Sequence, residues 1–405
     1  MRVLPDHLPP AGWRTRPGLA ELCAILGAPG GEARFVGGAV RDALLGIDAK
    51  DVDIATIHRP DEVIRRVRKA GFKPVPTGIA HGTVTAVLHG WPVEITTLRR
   101  DVSTDGRRAT VAFADDWRED AARRDFTMNA LYAEPGDGTL HDYFGGLADL
   151  AARHVRFIGD PRARIDEDHL RILRYFRFVA RFGTLDRDSA DYAACVDRAP
   201  SLMALSRERI ADELLRLLAL PDPAEVVGAM VADAILRPVV PEIGAAGVAG
   251  LRALIAAERE AGIAPDPLRR LAALLPRDAA LADQIGARLR FSNKARARLR
   301  HALEPVEAAD PHGLAYLIGT AGAVDQILLG FAFSPDAAAP LQAWAVPKLP
   351  LSGGDIIAMG LTPGPQVAAT LQALERQWIA AGFPPAEETR ELARQLVAAA
   401  LRSAQ

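Results

Sequence analysis

Cysteine and lysine are both scarce in this sequence of 405 residues. The two cysteines, Cys23 and Cys195, lie far apart and have no CxxC partner, so neither a disulfide framework nor a zinc site is supported. Lysine supplies only five of the 49 basic residues, and arginine, which suits bidentate phosphate and base contacts, supplies the rest. With a net charge of -2, the chain lacks a global basic field. Any contact with nucleic acid must therefore be local.

Long apolar runs are also missing. No stretch reaches the roughly 20 residues that a membrane span needs, and prolines interrupt the opening 18 residues, which hold no run of signal-peptide length. We therefore expect a cytoplasmic protein without a membrane partner. Hydrophobic residues make up 49% and charged residues 25%, as in globular proteins. The length exceeds what one core supports, so we expect an elongated molecule of two or more domains.

The pattern of apolar residues changes near residue 150. Before it, short β-rich runs alternate with helices, and the last two runs are close enough to form an antiparallel hairpin. After it, strand signals almost vanish and amphipathic helices follow one another. The sequence thus predicts an α+β fold. The predicted strands are 34–36, 52–55, 83–88 and 93–98, and the predicted helices include 166–182, 207–219, 223–231, 247–260, 267–275 and 366–380.

The segment from Phe35 to Asp42 reads as a strand, a glycine turn and a helix. Gly37 and Gly38 form the turn, and Arg41 follows in the helix. Free backbone N–H groups and the positive end of a helix dipole beside an arginine suit a triphosphate. An ordinary tight turn into a helix ended by Gly46 explains the same residues, so the segment alone leaves both interpretations open.

Three acidic residues belong to predicted strands. Asp51 and Asp53 alternate along one short strand and should project from one face, and Glu94 should point away from its apolar neighbours Val93 and Ile95. Such carboxylates could hold two magnesium ions about 3.5 to 4 Å apart for phosphoryl transfer. Solvent-exposed aspartates and a polar hairpin face are the alternative.

A charged segment from Arg123 to Ala130 is predicted to begin an apolar helix. Asp125 stands where it could either cap that helix or accept a hydrogen bond from a ribose hydroxyl. Capping alone is the simpler interpretation, and the segment does not decide between the two.

The predicted helix over 166–182 would place Asp168 and Arg171 on one face, continued by Arg174 and Arg177. An aspartate can accept from the exocyclic amine of cytosine or adenine, and an arginine can donate to a ring nitrogen or carbonyl. Such a pair could read a base edge and reject uracil and guanine. A solvated helix face with intrahelical ion pairs remains the alternative.

The order and spacing of these motifs resemble the class II nucleotidyltransferases, which are the CCA-adding enzymes and the bacterial poly(A) polymerases. Weaker similarity continues through LRFSNKARARL and LSGGDIIAMGLTPGP, so that the resemblance covers most of the chain. The stronger motifs, in family order, are GGAVRD with KDVDIA, HGTVTAV, VEITTLR, RRDFTMNAL, DYFGGLADL, EDHLRILRYFRF and SRERIADELLRLL.

The resemblance implies a fold and a division into domains. It implies an N-terminal palm with a small mixed sheet, followed by an elongated all-α neck, body and tail. Mapped onto this chain, the head covers 1–150, the nucleotide-selecting neck 151–220, the body 221–290 and the tRNA-binding tail 291–405.

The resemblance also implies roles for individual residues. Mg²⁺ would be held in a two-metal site by Asp51 and Asp53, with Glu94 as the third catalytic carboxylate. The nucleotide-binding residues would be Gly37, Gly38 and Arg41 at the triphosphate, Arg124 and Asp125 at the nucleotide and its ribose, Asp168 and Arg171 as a protein template for CTP and ATP, and Arg174 and Arg177 as supports.

Two further features follow from the same resemblance. The charged stretch from Arg99 to Glu119 resembles the flexible loop that switches from C to A addition. Met128 stands where isoleucine is common, a change that should not alter the chemistry. His141 and Asp142 are adjacent, but they lack partner histidines at helical spacing, so we expect no HD-type phosphatase module.

The expected activity is the addition of CMP, CMP and AMP to the 3' end of tRNA from CTP and ATP, with no obligate protein partner. Within the family, a poly(A) polymerase or a partial CC- or A-adding enzyme is the alternative. The presence of the 99–119 stretch and the absence of a strong basic run from the tail, Gly382 to Gln405, favour full CCA addition. A catalytically silent RNA-binding relative is a further alternative, against which the three acidic residues argue.

Overall fold

The computed structural model describes residues 3–105 and 108–403, without the side chains of 101–111 and 403. The chain divides into two compact units, Met1–Val239 and Val240–Gln405. Among the described helices, none is long and apolar enough to cross a membrane. The finer division at residues 150, 220 and 290 stays a prediction.

All the described strands lie in the first unit, before residue 143, as the sequence predicted. The prediction for 83–88 is confirmed residue for residue. The strands are β1 (Ala33–Val36), β2 (Asp53–Thr56), β3 (Lys73–Gly78), β4 (Thr83–Leu88), β5 (Trp91–Thr97), β6 (Arg99–Asp105), β7 (Arg108–Phe113), β8 (Leu131–Ala133) and β9 (Leu140–Asp142).

Seven strands form one sheet in the order β3-β4-β5-β2-β1-β8-β9. All neighbours are antiparallel except β2 and β5, which run parallel. The predicted hairpin is confirmed as β4 and β5, joined by His89 and Gly90 with φ of 47° and 94°. Positive φ at both positions gives the turn that matches strand twist. The prediction of a small mixed sheet is therefore confirmed.

Helices alternate with the strands along the chain up to residue 142 and follow one another through the rest of the first unit. The prediction of 207–219 and 223–231 agrees with the observed helices to within one residue at each end. The helices are α1 (Leu19–Ile25), α2 (Gly38–Leu44), α3 (Pro60–Lys69), α4 (Trp117–Ala122), α5 (Gly146–Ala152), α6 (Pro161–Glu167), α7 (Leu170–Phe182), α8 (Ala190–Arg198), α9 (Arg207–Leu218) and α10 (Ala224–Ala232).

The helix predicted from Asp166 to Phe182 is wrong as a single element. α6 ends at Glu167, and Asp168 is extended, with φ of -153° and ψ of 103°. The Asp168 carboxylate accepts from the N–H of Leu170, 3.1 Å away, and so caps the start of the next helix. The apolar spacing continues across the break, which is why periodicity alone did not reveal it.

The apolar helix predicted after Asp125 is also wrong. A single 3₁₀ turn, Thr127–Asn129, leads directly into β8. Gly146 of α5 packs against this turn so closely that a Cβ there would lie 2.3 Å from the Thr127 carbonyl oxygen. Tertiary packing thus decides the local conformation, as it often does against a weak local preference.

The stretch from Arg99 to Glu119, which resembles a flexible loop in sequence, contains two strands and the start of a helix, and its role in switching from C to A addition stays a prediction. β6 and β7 pair as a separate two-stranded antiparallel sheet, and α4 begins at Trp117. Gly106 and Arg107, at the centre of the expected turn, lie outside the described residues.

Within its described residues, the second unit has helices as its regular elements and no strand. One core cluster includes Leu254, Leu314 and Ile327, and another includes Ile356 and Leu374. The predicted helices 247–260, 267–275 and 366–380 are confirmed to within two residues. The helices are α11 (Ala245–Glu260), α12 (Pro267–Leu274), α13 (Ala279–Arg288), α14 (Asn293–Ala302), α15 (Pro311–Leu328), α16 (Ala338–Leu341), α17 (Gly353–Ala358), α18 (Pro365–Ala380) and α19 (Ala386–Ser403).

A buried ion network joins four helices of the second unit. Glu258 of α11 accepts from Arg269 of α12 at 2.8 Å and from Arg270 at 2.9 Å. Asp325 of α15 accepts from Arg269 at 2.9 Å and from Arg298 of α14 at 2.7 Å. Glu258 and Arg270 are almost completely buried. Each charge therefore depends on its partners, because water cannot replace them.

We expect Glu258→Gln to lower the free energy of unfolding by about 3 kcal/mol, because it leaves Arg269 and Arg270 buried with less compensating charge. Urea unfolding followed by circular dichroism at 222 nm measures the change. Glu260→Gln on the same helix is the control, since Glu260 is exposed and its loss should change stability by less than about 0.5 kcal/mol. Equal midpoints for the two variants would show that the network is dispensable.

Candidate active site

The parallel pairing of β2 with β5 brings two of the predicted carboxylates together. Asp53 and Glu94 are direct partners in the register, and the N–H of Glu94 donates to the carbonyl of Val52 at 3.3 Å. Partners on adjacent parallel strands project to the same side of a sheet. Glu94 and Asp53 therefore share one face.

Asp51 lies just before β2, which begins at Asp53, so the prediction that it belongs to the strand is wrong. It is nevertheless near enough to act on Asp53. Burial, together with repulsion from Glu94 and Asp51, raises the pKa of Asp53 to about 6, although the charge of Arg124 acts in the opposite direction. The three predicted carboxylates thus form one electrostatic group.

The described residues contain no group of three or more histidine, cysteine, aspartate or glutamate side chains close enough to hold a metal ion by themselves. Asp53, Glu94 and Asp51 can still repel one another at such separations, because charge repulsion acts over longer distances than a metal–ligand bond of about 2 Å. Magnesium is usually bound by one or two carboxylates together with substrate phosphates. The residues present fit that kind of site, in which nucleotide oxygens complete the shell.

The glycine turn lies beside these carboxylates. Gly37 has φ of 72° and ψ of -124°, which a residue with a Cβ rarely adopts, and an added Cβ would lie 3.3 Å from Nη1 of Arg124. Arg41 is buried in α2, where it donates to Asp42 at 2.8 Å and to Asn129. Burial lowers the pKa of Arg41, and Asp42 opposes this effect.

A buried aspartate that the sequence did not single out orients Arg124. Asp120 accepts from Arg124 at 3.2 Å, from Arg123 at 2.9 Å and from the Tyr132 hydroxyl at 2.6 Å. Burial would raise the pKa of Asp120, but the charges of Arg124 and Arg123 outweigh it and hold the pKa at about 2. It also accepts the backbone N–H of Arg99, where β6 begins.

Asp125 is held on two sides. Asn129 donates to one carboxylate oxygen at 2.8 Å, and Nε of Arg174 donates to the other at 2.9 Å. Burial would raise the pKa of Asp125, but the charge of Arg174 and these hydrogen bonds hold it at about 2. Arg174 therefore contacts the residue predicted to bind the ribose.

Asp168 and Arg171, predicted to act as a pair, have different partners. Asp168 accepts from Arg209 of α9 at 2.7 Å. Arg171 donates to the carbonyl of Arg164 at 2.6 Å and pairs with Glu167. The simpler interpretation required an ion pair within one helix, but the observed pair joins Arg171 of α7 to Glu167, the last residue of α6.

Most of the predicted site residues line one cavity of about 460 Å³. Asp51 and Glu94 are not among its lining residues. Arg177 is not among them either, and its side chain donates to Glu213 of α9 at 2.6 Å. The cavity is lined by Gly37, Gly38, Arg41, Asp53, Arg123, Arg124, Asp125, Asn129, Asp168, Leu170, Arg171, Arg174, Phe178 and Arg209.

Sequence reasoning missed three polar residues at this cavity. Arg123 and Asn129 belong to the RRDFTMNAL motif, where their spacing around Asp125 was the available signal. Arg209 lies in SRERIADELLRLL, about 40 residues beyond Asp168, and no local pattern connects the two. Only the packing of α9 against α7 brings them together.

Two family models match the chain. The model described as "Poly A polymerase head domain" matches residues 33–156, and "Probable RNA and SrmB- binding site of polymerase A" matches residues 190–246. Among curated proteins, mitochondrial CCA tRNA nucleotidyltransferase 1 of Mus musculus is 36% identical over 384 residues, which cover 90% of this chain and 87% of that protein. The chain belongs to the CCA tRNA nucleotidyltransferase family.

Other family members agree with this assignment. The CCA-adding enzyme of Levilactobacillus brevis is 43% identical over 216 residues, which cover 53% of this chain and 52% of that protein. The solved structure of the Bacillus stearothermophilus CCA-adding enzyme in complex with CTP matches with a TM-score of 0.72 and 28% identity, covering 91% of this chain and 94% of that one. The Thermotoga maritima enzyme, complexed with tRNA, shows the same fold at a TM-score of 0.69 and 21% identity, with 97% of each chain covered.

Because repulsion and burial raise the pKa of Asp53 from 3.8 to about 6, its charge should destabilise the metal-free nucleotidyltransferase. Above pH 6, Asp53 is ionised in both the folded and the unfolded chain, so its full destabilising effect is present. Below about pH 4, Asp53 is protonated in both states, and the effect vanishes. We expect Asp53→Asn to stabilise the protein in EDTA by about 1 to 2 kcal/mol at pH 7.5 and not at all near pH 3.5.

Urea unfolding across this pH range checks the expectation. Asp61→Asn, on the exposed side of α3, is the matched control and should leave the pH profile unchanged. A stabilisation by Asp53→Asn that is the same at both pH values would refute the electrostatic explanation.

Proposed function

We propose that this protein adds CMP, CMP and AMP to the 3' end of tRNA, using CTP and ATP and no nucleic-acid template. The observation that carries the proposal is the pairing of Asp53 with Glu94 beside a cavity that also holds Asp168 and Arg171. A carboxylate pair suited to phosphoryl transfer thus lies beside two residues whose side chains would read a base edge. Membership of the family supports the same reaction.

Asp51 and Asp53 are the proposed ligands for two Mg²⁺ ions, with Glu94 as the third catalytic carboxylate. When bound, the ions would activate the RNA 3' hydroxyl and offset charge on the transferred phosphoryl group. Burial and the repulsion from Glu94 and Asp51 raise the pKa of Asp53, which supports this assignment, because a divalent cation would offset the repulsion. The RNA 3' hydroxyl attacks the α-phosphate, and pyrophosphate leaves.

The triphosphate would lie against the turn of Gly37 and Gly38, near Arg41 and Arg124. Gly37 lets the backbone come close to the ligand, since it carries no Cβ. Asp120 and Tyr132 fix the guanidinium of Arg124, so little ordering is left to occur when the nucleotide binds.

Asp168 and Arg171 are the proposed template for cytosine and adenine, with Asp125 at the ribose and Arg174 supporting it. Both bases carry an exocyclic amine that can donate a hydrogen bond to a carboxylate, whereas uracil and guanine carry a carbonyl at that position. Arg177 would support the site indirectly, because its partner Glu213 is also within reach of Arg174, at 3.7 Å.

The tRNA would be held by arginine-bearing helices through its phosphates and shape rather than its sequence. Solved structures of CCA-adding enzymes with the same fold include complexes with tRNA, with ATP and with CTP. The cytoplasm is the proposed compartment. Its reducing conditions suit Cys23 and Cys195, which are both buried free thiols.

Purified protein with magnesium and a tRNA that lacks its last three nucleotides should incorporate CMP twice and AMP once. Gel resolution at single-nucleotide steps measures the product, with each nucleotide supplied alone as the control. Continued AMP addition would identify a poly(A) polymerase, and a stop after CC would identify a partial enzyme. No incorporation despite magnesium binding would favour the silent RNA-binding alternative.

Asp53→Ala should reduce turnover with CTP and ATP alike by at least about a hundredfold, because metal ions supply several kcal/mol of transition-state stabilisation. Asp168→Ala should retain magnesium binding and lose discrimination against UTP and GTP. Initial rates with each of the four nucleotides, and magnesium titrations, separate the two variants. Asp61→Ala is the control on an exposed helix face. Equal, mild effects of both substitutions would contradict the assigned roles.

A further inference from the structure

Arg164 of α6 is a buried arginine that contacts two separate parts of the candidate site. Its Nη2 donates to the carbonyl oxygens of Arg123 and Arg124, the second at 2.7 Å, and its Nη1 donates to the carboxylate of Glu167. Only 8% of the residue is exposed, and it is not among the residues that line the cavity. Any effect of Arg164 on a bound nucleotide must therefore pass through the groups that it contacts.

The first part is the segment that follows α4. This helix ends at Ala122, so the carbonyls of Arg123 and Arg124 lie where the backbone lacks helical hydrogen-bond donors. Arg164 donates to both carbonyls from one nitrogen, although about 40 residues separate it from them along the chain. Because it fixes two successive peptide groups, it fixes the backbone from which the side chains of Arg124 and Asp125 project.

The second part is the junction of α6 and α7. Glu167 accepts from Arg164 and from Arg171 at the same oxygen, Oε2. Arg171 also donates to the backbone carbonyl of Arg164, at 2.6 Å. The guanidinium of Arg171, which is proposed to read the base, is thus held by a carboxylate that Arg164 orients and by the backbone of Arg164 itself.

A purely structural role would account for some of these contacts. A buried arginine stabilises the fold, because its removal leaves the carboxylate and carbonyls that it contacts with fewer donors. The choice of partners indicates more than stability. Arg124 and Arg171 both line the cavity, where they are proposed to contact the triphosphate and the base. Arg164 therefore joins the two ends of the nucleotide site from behind.

We propose that Arg164 is a positioning residue that couples recognition of the ribose to recognition of the base. The inference rests on the proposed function, to which it adds a residue outside the cavity. With the two segments held at a fixed spacing, a ribose bound at Asp125 places its base at Asp168 and Arg171 without further ordering. Without Arg164 the two segments adjust separately, and each contact contributes to binding independently of the other.

Four nucleotides form a cycle that measures this coupling without any substitution in the cavity. UTP lacks the exocyclic amine of CTP, dCTP lacks the 2' hydroxyl, and dUTP lacks both. If the contacts are coupled, dUTP binds more tightly than the product of the two separate losses predicts. Calorimetry in the presence of magnesium measures the four affinities. We expect a discrepancy of about fivefold or more in the wild type and below about twofold in Arg164→Gln.

Two further variants control for charge and for stability. Arg162→Gln lies on the same helix and removes an exposed arginine that pairs with Asp197, so it should keep the wild-type coupling. Arg164→Lys keeps the charge but carries a single nitrogen, which cannot reach both carbonyls and Glu167 together, so its coupling should be intermediate. If Arg164→Gln does not fold, wild-type coupling in a folded Arg164→Lys would overturn the inference.

Other outcomes are equally decisive. Losses that simply multiply in the wild type, or equal binding of CTP and dCTP, would leave nothing to couple and would overturn the inference. A weakening of all four nucleotides by one common factor in Arg164→Gln would show that its role is only structural. The cycle measures binding alone. A wild-type protein that adds no nucleotide to tRNA would refute the proposed reaction, while its coupling could still be compared with that of Arg164→Gln.

Discussion

The parallel pairing of β2 with β5 is the constraint on which the candidate site depends. It places Asp53 directly beside Glu94, although 40 residues and the antiparallel strands β3 and β4 separate them along the chain. Burial of Asp53 and its repulsion by the adjacent carboxylate of Glu94 together raise the pKa of Asp53. Such an arrangement persists only where the surrounding sheet holds it or where a cation offsets it.

The remaining groups at the cavity are ordered by ion pairs that cross between elements. Asp120 holds Arg124, Arg174 holds Asp125, and Arg209 holds Asp168. Each contact fixes a side chain before any nucleotide arrives, which lowers the entropic cost of binding and keeps donors and acceptors in place. The scarcity of lysine fits this organisation, since the planar guanidinium can bind a carboxylate and still face a ligand.

The second unit uses the same chemistry for a different purpose. Its network around Glu258 and Asp325 is buried away from solvent, with every described carboxylate oxygen of Glu258 matched to an arginine. The network joins α11, α12, α14 and α15. Buried charges are sensitive to geometry, so they define which helices pack together more sharply than an apolar contact would.

The sequence by itself determined the change to helices near residue 150, the hairpin of β4 and β5, and the face on which Glu94 lies, because alternation and helical spacing are local properties of the chain. The small mixed sheet was implied by the family resemblance of the motifs. Only the tertiary structure decided the break at Asp168, the turn that replaces a helix after Asp125, and the partners of Asp168, Arg171 and Arg177. Those features depend on contacts such as Gly146 with Thr127 and Arg209 with Asp168, which join residues about 20 and 40 positions apart. No local pattern encodes such contacts, since they form only when separate elements pack.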